Sequence, residues 1–448
     1  MASVTFPIAV GGDGSTVTDD GNVATGLANG GHRVRFVPAL AQVVAVAQNT
    51  VNKAAAANAS AEAAATSELA AAGHETAAAG SAGAAAGSEV RAEEAAAQAV
   101  AAKNDAAALL QASAPFTFRN RIINGDMRID QRNAGASVTP TGSNYVLDRW
   151  YAWLSQGSKY SIQQSSMAPA GFTSSLLVTS TSSYSVGASD FFAINQIIEG
   201  LGISDLAWGS AQAQSVALSF WVHCSLTGTF GGCIQNNARD RSYPFTYTIN
   251  SANTWEQKTV VIPGDTAGTW LKDTGAGLRL LLGLGVGSTY SAAPGAWAAL
   301  NYWSATGAQS IVGTNGATFY LTGVQLEAGT VATPFERRPY GLELILCRRY
   351  YEKSYDVATA PGSATMAGAI YSGAPATSIY TGVPFRVSKR TAPTVTIYNP
   401  VSGTAGNTSG ASGNVAVTSS TCSENNIRDI SSVNGAYINW HYTASAEL

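Results

Sequence analysis

Residues 60–94, in blocks of seven, read SAEAAAT, SELAAAG, HETAAAG, SAGAAAG and SEVRAEE. Ser60, Ser67, His74, Ser81 and Ser88 open successive blocks. A sustained period of seven returns one side of an α-helix to the same face every two turns, which is what a coiled coil requires. The large apolar residues usual at such a seam are missing, apart from Leu69, Val90 and Val100. Ala is the best helix former, but an Ala seam buries little area per residue. Gly73, Gly80, Gly83 and Gly87 each cost about 1 kcal/mol relative to Ala. A lone helix of this kind is marginal, whereas several packed through small residues make a thin rod. A flexible Ala/Gly/Ser linker has no reason to keep a heptad, so residues 39–114 are read as an oligomeric helical shaft.

Outward from the shaft the composition changes twice. Residues 1–38 carry the short apolar runs Phe6-Pro-Ile-Ala-Val10 and Val34-Arg-Phe-Val37, separated by the turn formers Gly11 to Gly21. This zone reads as strands and loops too short to bury a core of their own. Asp13, Asp19 and Asp20 depart from the alternating ligand spacing of a twelve-residue calcium loop, so a plain turn is expected. After Pro115, residues 116–343 alternate apolar and polar positions: Val216–His223, Phe245–Ile249, Lys258–Ile262, Leu278–Leu284 and Ala317–Val324. Short strands between turn signals over more than 200 residues predict an antiparallel β-sandwich of jelly-roll type. Pro339–Lys353 reads as a helix or bridging segment. Residues 344–448 predict a smaller β domain, with strands near 367–371, 378–386, 394–398, 415–419 and 436–442 and a Gly/Ser/Thr/Asn loop over 402–414.

Composition narrows the function. Only 12% of the 448 residues are charged and the net charge is −3, which argues against a nucleic-acid binder that neutralises phosphate. No apolar run approaches a membrane span. The four cysteines, Cys224, Cys233, Cys347 and Cys422, and the four histidines are scattered. No metal site, cofactor or disulfide framework is expected.

Several words in the sequence resemble the carbohydrate-binding-like jelly roll of bacteriophage tail fibres. Phe118-Arg-Asn-Arg-Ile-Ile-Asn-Gly-Asp-Met-Arg-Ile-Asp-Gln-Arg132 is similar to that group's opening strand, and Asp148-Arg-Trp-Tyr151 to its D-R-W word. Leu321–Thr330 with Thr333-Pro-Phe-Glu-Arg337 resembles the closing strand and exit. Cys347-Arg-Arg-Tyr-Tyr-Glu-Lys353 and Ile438–Leu448 are similar to the approach to the fibre tip and to the tip's end. The resemblance covers roughly residues 116–448. It implies a homotrimeric, elongated fibre located in the virion. Residues 1–38, including Thr25–Pro38, would dock on a tail or baseplate protein. The β domains would meet a host-surface glycan (lipopolysaccharide or capsule) or an outer-membrane protein. Three sites per fibre would raise avidity without any new contact.

Sugars are held by aromatic faces and short polar side chains. The candidate residues are Trp297, Tyr302 and Trp303 in a loop-like stretch, and Tyr371, Tyr380, Tyr437, Trp440 and Tyr442 in the tip. Trp150 is read as core. Non-covalent adhesion is favoured over hydrolysis, because glycoside cleavage usually needs carboxylates about 5–9 Å apart. Asp126 and Asp130, four apart on a strand, would lie roughly 13 Å apart. The alternatives are a fibre that also hydrolyses polysaccharide and a purely structural connector.

Overall fold

The computed structural model describes residues 2–20, 22–26, 28, 32–112, 118–373, 382–410, 413–417, 419–431 and 437–448. They form two compact units, Met1–Lys103 and Asn104–Leu448.

In the first unit, β1 (Ser3–Thr5) pairs antiparallel with β2 (Thr16–Thr18). Between them Ile8–Val10 makes one 3-10 turn, closed by Gly11 at φ +92°, a conformation that costs glycine little. The run Val34–Val37, expected among strands and loops, is instead helical, because α1 begins at His32 and continues to Ala112, 81 residues in all. Pro38 is the seventh residue of this helix, past the first four N–H groups that have no ladder partner, so it removes the donor to the Val34 carbonyl. The hairpin rests on the helix: the backbone N–H of Asp13 donates to Gln42 Oε1 at 2.9 Å, and Lys53 Nζ to the Ala9 carbonyl at 3.3 Å. Beyond this contact the described side chains of α1 are almost all exposed, including Leu69, Val90 and Val100.

The second unit is built on a two-sheet sandwich. Its strands are β3 (Asn144–Leu147), β4 (Trp150–Leu154), β5 (Tyr160–Ser165), β6 (Ser175–Ser180), β7 (Phe191–Glu199), β8 (Val216–Cys224), β9 (Gly228–Gln235), β10 (Ser242–Ile249), β11 (Glu256–Ile262) and β12 (Ala276–Val286). The short pair β13 (Ser291–Ala292) and β14 (Ser304–Ala305) follows, then β15 (Thr318–Ala328). One sheet has the order β10-β9-β12-β7-β4-β3 and the other β11-β8-β15-β6-β5, with antiparallel pairing throughout both. Alternation decides which side chains go inside. Trp150, Ala152 and Leu154 of β4 point to the core with Phe192, Ile194, Phe220, Phe230, Leu280 and Phe319, while Tyr151 and Trp153 point outward.

Phe118–Arg132, expected as an opening strand, contains no strand. It is a buried strap whose backbone is satisfied by side chains rather than by a ladder. The N–H of Asn120 donates to Glu336 Oε2 at 2.6 Å, that of Ile123 to Gln196 Oε1 at 2.8 Å and that of Gln131 to Asp148 Oδ2 at 2.6 Å. At Gly125 the strap passes so close to Val324 that a Cβ would lie 2.2 Å from its carbonyl oxygen.

Pro339–Lys353 forms α2 (Tyr340–Arg348) and then β16 (Tyr351–Lys353). The remaining strands are β17 (Ile370–Gly373), β18 (Gly382–Pro384), β19 (Thr394–Tyr398), β20 (Asn407–Gly410), β21 (Gly413–Ala416), β22 (Ser419–Cys422), β23 (Asn426–Ser431) and β24 (Tyr437–Ser445). β24 is the hub, pairing with β16, β17, β19 and β20. The expected 402–414 loop is in good part the β20–β21 hairpin, held in register by Ser409 opposite Asn439 of β24.

Buried ion pairs join this region to the sandwich. Arg149 pairs with Glu447 and lies over the Tyr350 ring at 3.6 Å. Arg349 makes a bidentate pair with Glu199 at 2.9 and 2.6 Å. Within the C-terminal region itself Glu352 and Lys389, both fully buried, meet at 2.7 Å. The words that resemble a fibre family are therefore largely this joint. Asp148 accepts from Gln131, Arg149 holds the C-terminal segment, and Trp150 fills the core while donating to the Asn124 carbonyl.

Candidate glycan site on the outer sheet face

Cross-strand register brings one row of outward side chains together. Tyr145 lies opposite Tyr151, Tyr151 opposite Asn195, Asn195 opposite Leu281 and Leu281 opposite Cys233. The adjacent row runs Ile197, Arg279, Gln235, Ser242. Six strands thus contribute to a single patch.

One end of the patch is closed by the 288–305 segment. Trp303 is buried there, with ring centroids 4.1 Å from both Trp153 and Phe191 and its Nε1 donating to Asn301 Oδ1 at 2.8 Å. Gln235 secures that segment, donating through Nε2 to Asn301 Oδ1 at 2.9 Å and to the Tyr302 carbonyl at 2.5 Å. Half-buried Tyr145 and Tyr151 meet edge to face at 4.8 Å on the β3–β4 side. Across the face, the Arg239 guanidinium lies 4.4 Å and that of Arg279 5.7 Å from the Trp153 ring centroid. Arg279 donates to Asn237 Oδ1 at 3.3 Å. Burial, and then the charge of neighbouring Arg239, push the Arg279 pKa down to about 10, and burial lowers that of Arg239 as well.

Asn195 lies among these groups with 0% of its surface exposed, and neither atom of its side-chain amide has a hydrogen-bond partner. Gln235 Oε1 and Arg279 Nε are likewise buried and unpaired. Such atoms carry a desolvation cost of about 1–3 kcal/mol each, and with no surface of their own exposed, Asn195 and Gln235 lie beneath the patch rather than on it.

The expected site residues divide sharply. Tyr302 and Trp303 border the patch, Tyr302 half-buried and Trp303 as buried support. Trp297 belongs elsewhere: it packs edge to face with Trp208 and Trp270 and donates to the Pro263 carbonyl at 2.8 Å. Trp440 and Tyr442 are tip core, packed with Phe385, Ile397 and Ile438, and have no open ring face. Inward positions of the central strand β24 could not do otherwise. Tyr371 is 67% exposed and stacks on half-buried Tyr437 at 5.9 Å. Tyr380 lies outside the described residues.

Sequence reasoning passed over Tyr145, Asn195, Arg239 and Arg279, and took Tyr151 and Trp153 only as neighbours of a core tryptophan. The alternation in Trp150-Tyr-Ala-Trp-Leu154 was the available signal for the last two. Asp126 and Asp130 are occupied otherwise than as a catalytic pair. Asp126 pairs with Arg128, and Asp130 accepts from the backbone N–H groups of Arg132, Asn133 and Gly135. Among the described residues no cluster of His, Cys, Asp or Glu suits a metal ion, and no helix is long and apolar enough to cross a membrane.

No known protein family matches the chain, and no curated protein does. Solved structures with a similar sandwich include the enzymatically active domain of tailspike protein 4 of bacteriophage CBA120. There the identity is 11% over 47% of this chain and 22% of that one, with a TM-score of 0.26. A family 4 carbohydrate-binding module is 13% identical over 45% of this chain and 99% of its own, TM-score 0.24. The family 11 carbohydrate-binding module of a Clostridium thermocellum cellulase is 12% identical over 44% and 96%, TM-score 0.22. The chain thus spans about a fifth of the tailspike domain's length, and at these TM-scores the likenesses carry no conclusion about this chain.

Proposed function

We propose that the chain is the subunit of a homotrimeric, phage-type tail fibre that attaches to a cell-surface glycan without cleaving it, through the outer face of its jelly-roll sandwich. The observation that carries the reading is the patch of Tyr145, Tyr151, Arg239 and Arg279. It combines ring surface with two half-buried guanidinium groups, and sugar recognition calls for ring faces beside accessible polar groups. The shaft follows from a separate fact: α1 leaves its Ala heptads exposed, and copies of the same helix are the natural cover. Near its start Phe36, Leu40, Val43, Val44 and Val51 are all at least half exposed, which suits packing between copies or against a tail protein. A second receptor contact is favoured at the tip, where the Tyr371–Tyr437 stack offers an exposed ring face.

The test is binding of the full chain to a panel of immobilised bacterial surface polysaccharides. The parent protein is compared with Tyr151→Ala and with Tyr371→Ala, beside an assay for new reducing ends. Binding that falls at least ten-fold in Tyr151→Ala, with no reducing ends released, supports the reading. Binding lost only in Tyr371→Ala moves the site to the tip, and release of reducing ends overturns the non-catalytic assignment. Light scattering that gives the mass of a single chain would overturn the trimer.

A further inference from the structure

The chain carries few charges, and most of its buried or half-buried arginines answer a carboxylate. Arg241, two residues from Arg239, makes a bidentate pair with Asp265 at 2.7 and 2.6 Å, and Arg121, Arg132, Arg149, Arg338 and Arg349 are each paired. Arg239 and Arg279 break this pattern. They sit side by side over one tryptophan ring, and among the described residues neither forms an ion pair. The acid adjacent in sequence, Asp240, accepts from Asn236 Nδ2 at 2.6 Å. Two guanidinium groups held together, partly desolvated and without a counter-charge, repel each other. An incoming anion relieves both the repulsion and the lost hydration.

The shape of the site selects the anion. A guanidinium is a planar fork that grips an acid group through two parallel N–H bonds, and stacking on Trp153 fixes the plane of that fork. Tyr145 and Tyr151 supply ring surface for the C–H face of a pyranose. Trp153 itself is covered by Trp303 and the two arginines. Its role is to position the cations rather than to stack on the sugar.

We propose that this face recognises an anionic glycan, with Arg239 and Arg279 clamping the acid group of one sugar while Tyr145 and Tyr151 hold its ring. The inference rests on the glycan-binding reading above and adds the ligand's charge class. A sugar carboxylate and a sugar phosphate share the required chemistry.

Four probes test it by calorimetry with the full chain: an oligogalacturonate, its methyl ester, a phosphorylated mannan oligosaccharide and the unphosphorylated mannan. At least one acidic probe is expected to bind ten-fold or more tighter than its neutral counterpart. The preference should weaken between 50 and 500 mM salt and disappear in Arg279→Gln and in Arg239→Gln. Arg279→Lys, which keeps the charge but loses the fork, should retain only part of it. A carboxylate preference and a phosphate preference both support the proposal and identify the source of the anion. Equal binding of acidic and neutral partners, still lost in Tyr151→Ala, overturns the anionic inference while leaving the glycan site standing. If none of the four binds, the glycan reading fails and this inference falls with it. Unchanged melting temperatures in the arginine variants show that any loss is local.

Discussion

The helix α1 and the sandwich solve the same problem in opposite ways. In the sandwich, two sheets bury Trp150, Phe192, Phe220, Phe230 and Phe319 completely, so one chain supplies both sides of its own core. In α1 the large apolar side chains Leu69, Val90 and Val100 are each more than half exposed. A strand pair plus a facing sheet closes on itself, whereas a single helical stripe needs a second helix to meet it. The lesson is that one chain can hold a region that covers its own apolar side chains beside a region that leaves them uncovered.

The largest effect that would break this contrast lies in the sandwich. Trp150→Ala is expected to cost about 3–5 kcal/mol, read as a lower urea midpoint followed by near-ultraviolet dichroism, with the helical signal changed little. A comparable loss of helix would mean the two regions are not independent. Next comes the shaft. Ala78→Pro should cost about 3 kcal/mol of helix, lowering the 222 nm signal and the mass in solution while the sandwich melts at the parent temperature. If the mass holds, contacts outside α1 assemble the protein.

The smallest expected effect comes from one carboxyl. Burial raises Asp148 to about 6, partly opposed by Arg132 and by the hydrogen bonds from Gln131. A pKa raised on folding adds stability that is full below the ordinary carboxylate value near 4 and is lost as the pH climbs to about 6. Asp148→Asn removes that dependence. The variant should therefore gain on the parent in melting temperature between pH 4 and pH 7. A parallel shift of both proteins would sink the assignment.

Much of the fold was legible in the sequence, because periodicity is a local property. The heptads of residues 60–94 announced α1, and alternation placed β8, β10, β11, β12 and β15 within a few residues of their ends. Strap 118–132 was expected as a strand from its resemblance to the opening strand of tail-fibre jelly rolls, and here it forms none. Its backbone partners, Glu336, Gln196 and Asp148, lie up to 216 residues away and leave no trace in the segment itself. Val34–Val37 was misread because a four-residue apolar run looks the same in strand and helix. The candidate patch was legible only in part. Tyr302 and Trp303 were found by their aromatic character, but Asn195 and Arg279 are unremarkable in sequence and acquire meaning only from their neighbours across the sheet.

What the sequence by itself determined is the kind of each element: a seven-residue repeat can close on itself only as a helix, and a two-residue repeat only as a strand with one face buried. What only the tertiary structure decided is which outward faces meet. Strand order set Tyr145, Tyr151, Asn195, Arg279 and Gln235 side by side, and the 288–305 segment covered Trp303 while leaving Asn195 without a partner. Those relations depend on register and crossover between strands scores of residues apart, where no local pattern reaches.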